Sequence, residues 1–551
     1  MAKKKKTIAP QRSGPVSPKG LVKLAHDWGL LISILLAAIA MRVHLLGIPL
    51  DRDEGEYAYS GQLLLQGFLP YAKVYSMKLP GVSGAYALMM AIFGQTPTGI
   101  HLGLMLVNLA TIIFIFLLAK QLIDRTTGVV AAVSFAVLSV GQWVHGLSAN
   151  AEHFVILPAV AGMWILLRAT DSRRSRPLFL SGLLFGLAFL MKQHGAAFIA
   201  FALVYLIYQG WRSQSTRLRP ALTNMLILLA GAVLPFTLIC LVFFASGVFD
   251  KFWFWTFTYA RRYASLTSPA QAWASFLFYF RPVVSSAPLL WVLAGWGLLA
   301  LIIDPKARAR LFFAGTLVTF SILAIIPDFH FFPHYFVLVL PAISLLIGLG
   351  LSSMGRLLAN AGQSAANLVP VAIILFALGF TVYHQRLFLF RVDPVMASRL
   401  TYGTNPFPES LKIAQYLKEH TSSEDSIAVL GSEPQIYFYA HRHAATGYIY
   451  MYPLMEPQPY ALRMQEEMIR EIEASRPAYL VFVYNKASWA ASFDSPLLIL
   501  DWLRRYTGEF YDCVGTIDQS LNHPAKYHWD EDVQEYQQGV HDIYVYKRKP
   551  Y

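Results

Sequence analysis

Five short stretches of this sequence place ionisable side chains in otherwise apolar surroundings. The first holds Asp51, Asp53, Glu54, Glu56, Lys73 and Lys78, and the second, only a few residues long, holds Asn150, Glu152 and His153. The third is the turn Lys192-Gln193-His194, and the fourth carries Lys251, Arg261, Arg262 and Arg281 among many aromatics. The fifth reads Pro327-Asp328-Phe329-His330-Phe331-Phe332-Pro333-His334-Tyr335. A carboxylate can take the proton of an attacking hydroxyl. Cations can hold a phosphate and stabilise the negative charge that grows on it as it leaves. Singly, such residues near helix ends read as snorkelling groups or structural ion pairs. Gathered on one side of a membrane, they read as a site.

The elements that must position them are membrane helices. The chain has 551 residues, of which 56% are hydrophobic and 14% charged, and its mean hydropathy is +0.46. That is too apolar for a soluble enzyme of this length. The apolar residues run in continuous blocks rather than alternating, which predicts helices, with every backbone polar group paired inside the lipid. Eleven spans are expected, at about 27–48, 101–122, 127–146, 150–168, 178–191, 195–210, 221–247, 285–303, 311–327, 335–353 and 367–389. The block 178–210 is read as a hairpin turning at Lys192-Gln193-His194-Gly195, because one helix of that length would overshoot the bilayer.

Segment 82–99 is apolar but short, and charge decides its placement. If it crossed, four basic loops (120–125, 168–176, 212–219 and 306–310) would lie opposite the N-terminal Lys3-Lys4-Lys5-Lys6. It is therefore expected to be interfacial or re-entrant. The formal charge of +13 then belongs to inner loops, not to a nucleic-acid-binding face. Residues 1–26 read as a basic cytoplasmic tail, 27–390 as the membrane domain and 391–551 as an extracytoplasmic soluble domain. The last of these predicts strands at 426–430 and 479–483 and helices at 408–420, 459–475 and 495–506, a small α/β layer structure. The two cysteines lie far apart, Cys240 inside an apolar run and Cys513 near the end, which argues against a disulfide framework. The predicted fold is an α-helical polytopic membrane protein with interfacial helices in its first outer loop and a C-terminal α/β domain.

An outward-facing set of carboxylates and cations in helices suits a substrate with a phosphate head and a lipid tail. The run Asp53-Glu54-Gly55-Glu56-Tyr57-Ala58 directly follows the first span, and Gly67-Phe68-Leu69-Pro70-Tyr71 and Lys78-Leu79-Pro80 come after it. Together they resemble the first outer loop of GT-C glycosyltransferases. The resemblance points to the dolichyl-phosphate-mannose protein mannosyltransferase-like bacterial enzymes, which include aminoarabinose and lipopolysaccharide transferases. Glu152 in Ser148-Ala149-Asn150-Ala151-Glu152 is similar to the family's second acidic position, and Leu190-Met191-Lys192 resembles its helix ending in Lys. The sequence departs from the pattern in reading Lys-Leu-Pro for Lys-Pro-Pro and in having Met77 where some relatives place Glu.

The resemblance implies transfer of a sugar from a polyprenyl-phosphate donor to an extracytoplasmic acceptor, in a single inverting displacement. By it Asp53 is the general base, and Glu54 orients the loop or shares the proton. The competing reading of this acidic pair is a turn capping the following helix. Glu152 is expected to complete the acceptor site or to ligate a divalent cation with Asp53, against a plain role beside a helix N-cap. Lys78, Lys192, Arg261 and Arg262 are candidates for the donor phosphate, with headgroup anchoring the alternative for the two arginines. Tyr57, His194, His330, His334 and Tyr335 are candidates for lining the donor pocket. The alternative function is a polytopic transporter or lipid flippase, for which related halves would be the sign.

Overall fold

A computed structural model of the protein describes residues 18–172, 174–212, 218–362, 364–366, 368–521, 523–533 and 540–550. Lys3 to Lys6, and with them most of the expected basic tail, lie outside the described residues. Among the described residues an apolar helix lies at each of the eleven expected segments, but not all are long enough to count as spans. Six are long and apolar enough to cross a membrane alone: Trp28–Leu45, Pro97–Leu122, Ala151–Thr170, Gln193–Arg212, Pro220–Ala245 and Pro333–Asn360. The remaining five, Arg125–Leu138, Ser175–Met191, Pro288–Ile303, Leu311–Ala324 and Leu368–His384, are shorter, and Pro288–Ile303 bends by 101° from the preceding Pro269–Ser285. The block 178–210 is a hairpin: its helices Ser175–Met191 and Ala196–Arg212 are separated by a 3₁₀ turn at Gln193–Gly195. Gly182 and Gly186 face the helix Leu218–Ala245 so closely that a Cβ on either would strike its backbone, at Leu228 and Ala232. Small residues spaced by four let such helices touch where lipid offers no hydrophobic drive between them.

The ambiguous segment folds as the helix Pro80–Phe93, which begins with Pro at its first turn and ends at Gly94 with φ +89°. At about 1.5 Å per residue its 14 residues are too short to span about 30 Å of hydrocarbon. Leu88 and Ile92, each 63% exposed, lie on its outer side, while Val82, Tyr86 and Met90 are buried with Tyr57 and Leu63 of the helix Arg52–Leu65. That amphipathic placement fits an interfacial helix. With Cys240 and Cys513 replaced, single cysteines at Gln95 and Ser175 should label from opposite sides of sealed vesicles. Labelling from one side would place the helix across the bilayer.

The C-terminal domain is a six-stranded mixed sheet in the order β2-β1-β3-β6-β4-β5. Its strands are β1 (Ser426–Leu430), β2 (His443–Ala444), β3 (Tyr479–Val483), β4 (Tyr511–Asp518), β5 (Lys526–Trp529) and β6 (Ile543–Arg548). β1 runs parallel to both β2 and β3, and β3–β6, β6–β4 and β4–β5 are antiparallel. The two expected strands are the central parallel pair. Each is almost continuously apolar because helices such as Phe407–Glu419 and Ala461–Ser475 cover the sheet. The domain sits directly on the segment that follows the first span. A Cβ on Gly55 would lie 2.6 Å from the backbone nitrogen of Gln435, so only glycine lets the two segments meet there.

Candidate active site

The acidic run after the first span divides between capping the helix that follows and lining a cavity, and Asp51 takes part in both. Asp51 is the N-cap of Arg52–Leu65: its side chain accepts from the Glu54 amide at 2.9 Å, and the Glu54 carboxylate accepts from the Asp51 amide at 3.1 Å. Glu54 is fully buried and also holds His101 Nε2 at 2.8 Å and the Ala149 amide at 2.5 Å. The capping reading thus describes Asp51 and Glu54. Three residues apart, Asp53 and Glu56 line a cavity of about 200 Å³, which Asp51 and Arg52 also line. Glu54 does not reach it, since its oxygens are committed to the loop and to His101.

The cavity lies between the helix ends and the C-terminal domain, walled by Tyr75, Trp255, Tyr259, Tyr263, Phe332, Tyr335, Tyr402, Tyr450 and Tyr452. Asp53 Oδ2 is 3.2 Å from Lys78 Nζ and 3.9 Å from His334 Nε2, and Asp53 Oδ1 accepts from the Tyr450 hydroxyl at 3.1 Å. Burial alone would raise the pKa of Asp53. The charges of Lys78, His334 and Lys192 outweigh it and hold the carboxyl well below the usual carboxylate range. Lys78 is held above the usual lysine range for the reciprocal reason: burial opposes its charge, but Asp53 and Glu56 prevail. Both groups are therefore ionised at neutral pH.

A second layer stands behind this one. Lys192 Nζ lies 2.5 Å from Glu152 Oε1 and 3.9 Å over the Tyr335 ring. Glu152 is fully buried, and His334 Nε2 lies between it and Asp53, 3.9 Å from each carboxylate. Tyr57 is buried beside Lys78, its hydroxyl 3.4 Å from Nζ. His194 packs edge-on against Tyr335 at 4.9 Å, and His330 stacks flat on Tyr263 at 4.7 Å. Of the residues expected from sequence, Asp53, Lys78, His334 and Tyr335 line the cavity. Tyr57, Glu152, Lys192, His194 and His330 support its walls from behind. Arg261 and Arg262 do neither: both are exposed, and it is Tyr259 and Tyr263 on either side of them that face inward. The helical turn that buries the tyrosines points the arginines outward.

Sequence reasoning missed the contribution of the C-terminal domain. Tyr450, Tyr452 and Glu456 face the cavity from it, and Tyr402, Asn405 and Phe407 from its connection to the membrane helices. The cluster Tyr448, Tyr450 and Tyr452 was the available signal, though only Tyr450 and Tyr452 reach the cavity. Glu456 accepts a hydrogen bond from the Tyr259 hydroxyl and has no cation within salt-bridge distance among the described residues. Burial pushes its pKa from 4.5 up to about 7. The folded state therefore binds a proton that the unfolded state releases between those values, so this group costs stability as pH rises from 4.5 through 7. At 1.36 kcal/mol per unit the full cost is about 3 kcal/mol. Glu456→Gln should leave the melting temperature unchanged at pH 4 and raise it by several degrees at pH 8. An equal shift at both pH values would refute this account.

Residues 79–245 match the family described as dolichyl-phosphate-mannose-protein mannosyltransferase. Comparison with curated protein sequences gives no match. Among solved structures, the chain resembles the oligosaccharyltransferase of Archaeoglobus fulgidus in its apo form, with TM-score 0.56 and 14% identity over 93% of this chain and 75% of that one. The archaeal oligosaccharyltransferase AglB of that organism, in complex with an inhibitory peptide and a dolichol-phosphate, gives TM-score 0.54 and 13% identity over 92% and 75%. ArnT from Cupriavidus metallidurans bound to undecaprenyl phosphate gives TM-score 0.55 and 17% identity over 96% and 98%. The shared feature is the fold, membrane helices and C-terminal domain together.

Proposed function

We propose that this chain, which has the fold of the GT-C membrane glycosyltransferases, transfers a sugar from a polyprenyl-phosphate-linked donor to an extracytoplasmic acceptor hydroxyl. The observation that carries this reading is the Asp53–Lys78 pair, 3.2 Å apart, in an aromatic-walled cavity at the helix ends. Asp53 accepts the proton of the acceptor hydroxyl as its oxygen bonds to the anomeric carbon. The bond from that carbon to the donor phosphate breaks on the opposite face, its electron pair passing to the phosphate oxygen, with inversion. Lys78 stabilises the charge that grows there.

The same pair supplies a reason for ordered chemistry. In the free site Lys78 depresses the basicity of Asp53. A donor phosphate that draws Lys78 to itself removes that restraint and makes Asp53 a better base once the donor is bound. Aromatic rings on the walls give the sugar faces to stack on, and Lys192 with Glu152 holds Tyr335 and His334 in place. Among the described residues no three His, Cys, Asp or Glu side chains gather as a metal site. Glu152 is held by Lys192, and no step here passes through a divalent cation. The N-terminus lies in the cytoplasm, and the cavity and residues 391–551 lie on the outer side, in accord with the basic inner loops. A transporter would carry its site near the membrane midplane, whereas this one lies at helix ends against the C-terminal domain.

Proteoliposomes given labelled polyprenyl-phosphate sugars and a panel of glycolipid, polysaccharide and protein acceptors should transfer label. Failure with every pair would remove the reading. Lys78→Met should weaken binding of undecaprenyl phosphate about 10- to 100-fold, the worth of a charge-assisted hydrogen bond. Unchanged affinity would assign the phosphate to another cation.

A further inference from the structure

Arg52 sits between the cap residue Asp51 and the cavity residue Asp53; it lines the cavity, and its guanidinium reaches the C-terminal domain. Its Nε donates to the Ser432 carbonyl at 2.6 Å, and its terminal nitrogens reach Glu433 Oε1 at 3.0 Å, the Tyr452 hydroxyl at 3.0 Å and Asn405 Oδ1 at 3.1 Å. Glu433 is fully buried, and its other oxygen accepts from the Ser488 hydroxyl at 2.6 Å.

The place where Arg52 docks is defined by the sheet. The chain leaves β1 for β2 on one side and returns to β3 on the other, so β1 and β3 flank a topological switch point. In open α/β sheets the crevice beyond the carboxyl ends of such strands is where ligands bind. Ser432 and Glu433 follow β1, and Ser488 follows β3. The crevice of this domain is thus filled by a guanidinium from the membrane domain. Tyr452, which Arg52 grips, is two residues from Tyr450, whose hydroxyl rests on Asp53.

We propose that Arg52 and Glu433 are a positioning pair through which the C-terminal domain sets the orientation of Asp53 and brings Tyr450 onto it. This rests on Asp53 acting as the base. A forked, planar guanidinium held at four points fixes both rotation and depth, which a lysine could not do. The C-terminal domain is then part of the catalytic assembly.

The test is a double-mutant cycle on the full-length protein in proteoliposomes, with kcat, KM for donor and undecaprenyl phosphate affinity measured for each variant. Arg52→Ala should lower kcat on the order of 10²-fold, the cost of about 1 Å of misplacement, with phosphate affinity within about twofold of wild type. Adding Glu433→Gln to Arg52→Ala should change kcat little further. Unchanged kcat in Arg52→Ala, or losses that multiply in the double variant, would overturn the proposal. If Arg52→Ala does not yield protein that binds undecaprenyl phosphate, Glu433→Gln alone carries the test by the same kcat and affinity criteria. Arg52→Lys should fail to restore kcat. Asp53→Asn, measured alongside, separates the two ideas: if it keeps full activity the base assignment fails, and if it is inactive while Arg52→Ala is not, only the positioning pair fails.

Discussion

Asp53→Asn should lower sugar transfer on the order of 10³-fold, within the range a positioned general base contributes. The amide keeps the shape of the side chain and an oxygen for the Tyr450 hydroxyl, so the loop should keep its conformation. What it lacks is the negative charge. Lys78, no longer held by a carboxylate at 3.2 Å, becomes freer to engage the donor phosphate. The expected pattern is therefore a collapsed kcat with undecaprenyl phosphate binding equal to or tighter than wild type. A variant that binds more weakly and turns over normally would mean that Asp53 serves the donor site, not the proton. The pH profile adds a second criterion. Because the Asp53 pKa is lowered, its carboxylate and ion pair persist as pH falls below the ordinary carboxylate value and are lost only through the depressed one. Any decline in donor binding between pH 5 and 8 should then come from groups other than Asp53.

The second large effect concerns folding. Lys192 and Glu152 are 7% and 1% exposed and lie 2.5 Å apart. Removing one partner leaves the other charge buried without its counter-ion, a loss of about 3–5 kcal/mol. Lys192→Met should therefore reduce thermal stability sharply and, with it, the yield of folded protein. Lys192→Met combined with Glu152→Gln removes both charges and should recover most of that loss. Melting curves of the two variants in detergent decide the matter. Equal destabilisation of single and double variants would show that packing, not charge, sets the cost. The recovered double variant should still transfer slowly, because Glu152 and Lys192 also fix His334 and Tyr335 at the cavity wall.

The capping pair shows where sequence reasoning stops. Asp51, Asp53, Glu54 and Glu56 are one acidic run, and both the catalytic and the capping readings fit it. Helical spacing puts Asp51 with Glu54 and Asp53 with Glu56, but only the docked neighbours identify which pair is committed. His101 from the helix Pro97–Leu122 and the Ala149 amide from the loop before Ala151 close around Glu54. Arg261 and Arg262 were legible as cations and illegible in direction, since the helix segments Phe254–Tyr259 and Ala260–Ala264 could turn either face inward until Tyr263 met His330.

Hydropathy alone determined the helical membrane domain, because lipid leaves the backbone no other partner than itself. Charge counting placed the first loop, the Lys192 turn and the Pro327–Tyr335 loop on one side, and Asp53, Lys78, His334 and Tyr335 do meet in one cavity. Even the central parallel strands β1 and β3 were readable, since burial on both faces writes itself as an unbroken apolar run. The tertiary structure decided which side of that cavity is built by residues four hundred positions downstream. Tyr450 on Asp53 and Glu433 on Arg52 join parts of the chain separated by 397 and 381 residues. No periodicity or local propensity encodes such a pairing; it exists because the sheet's switch-point crevice and the end of the first loop are complementary in shape and charge.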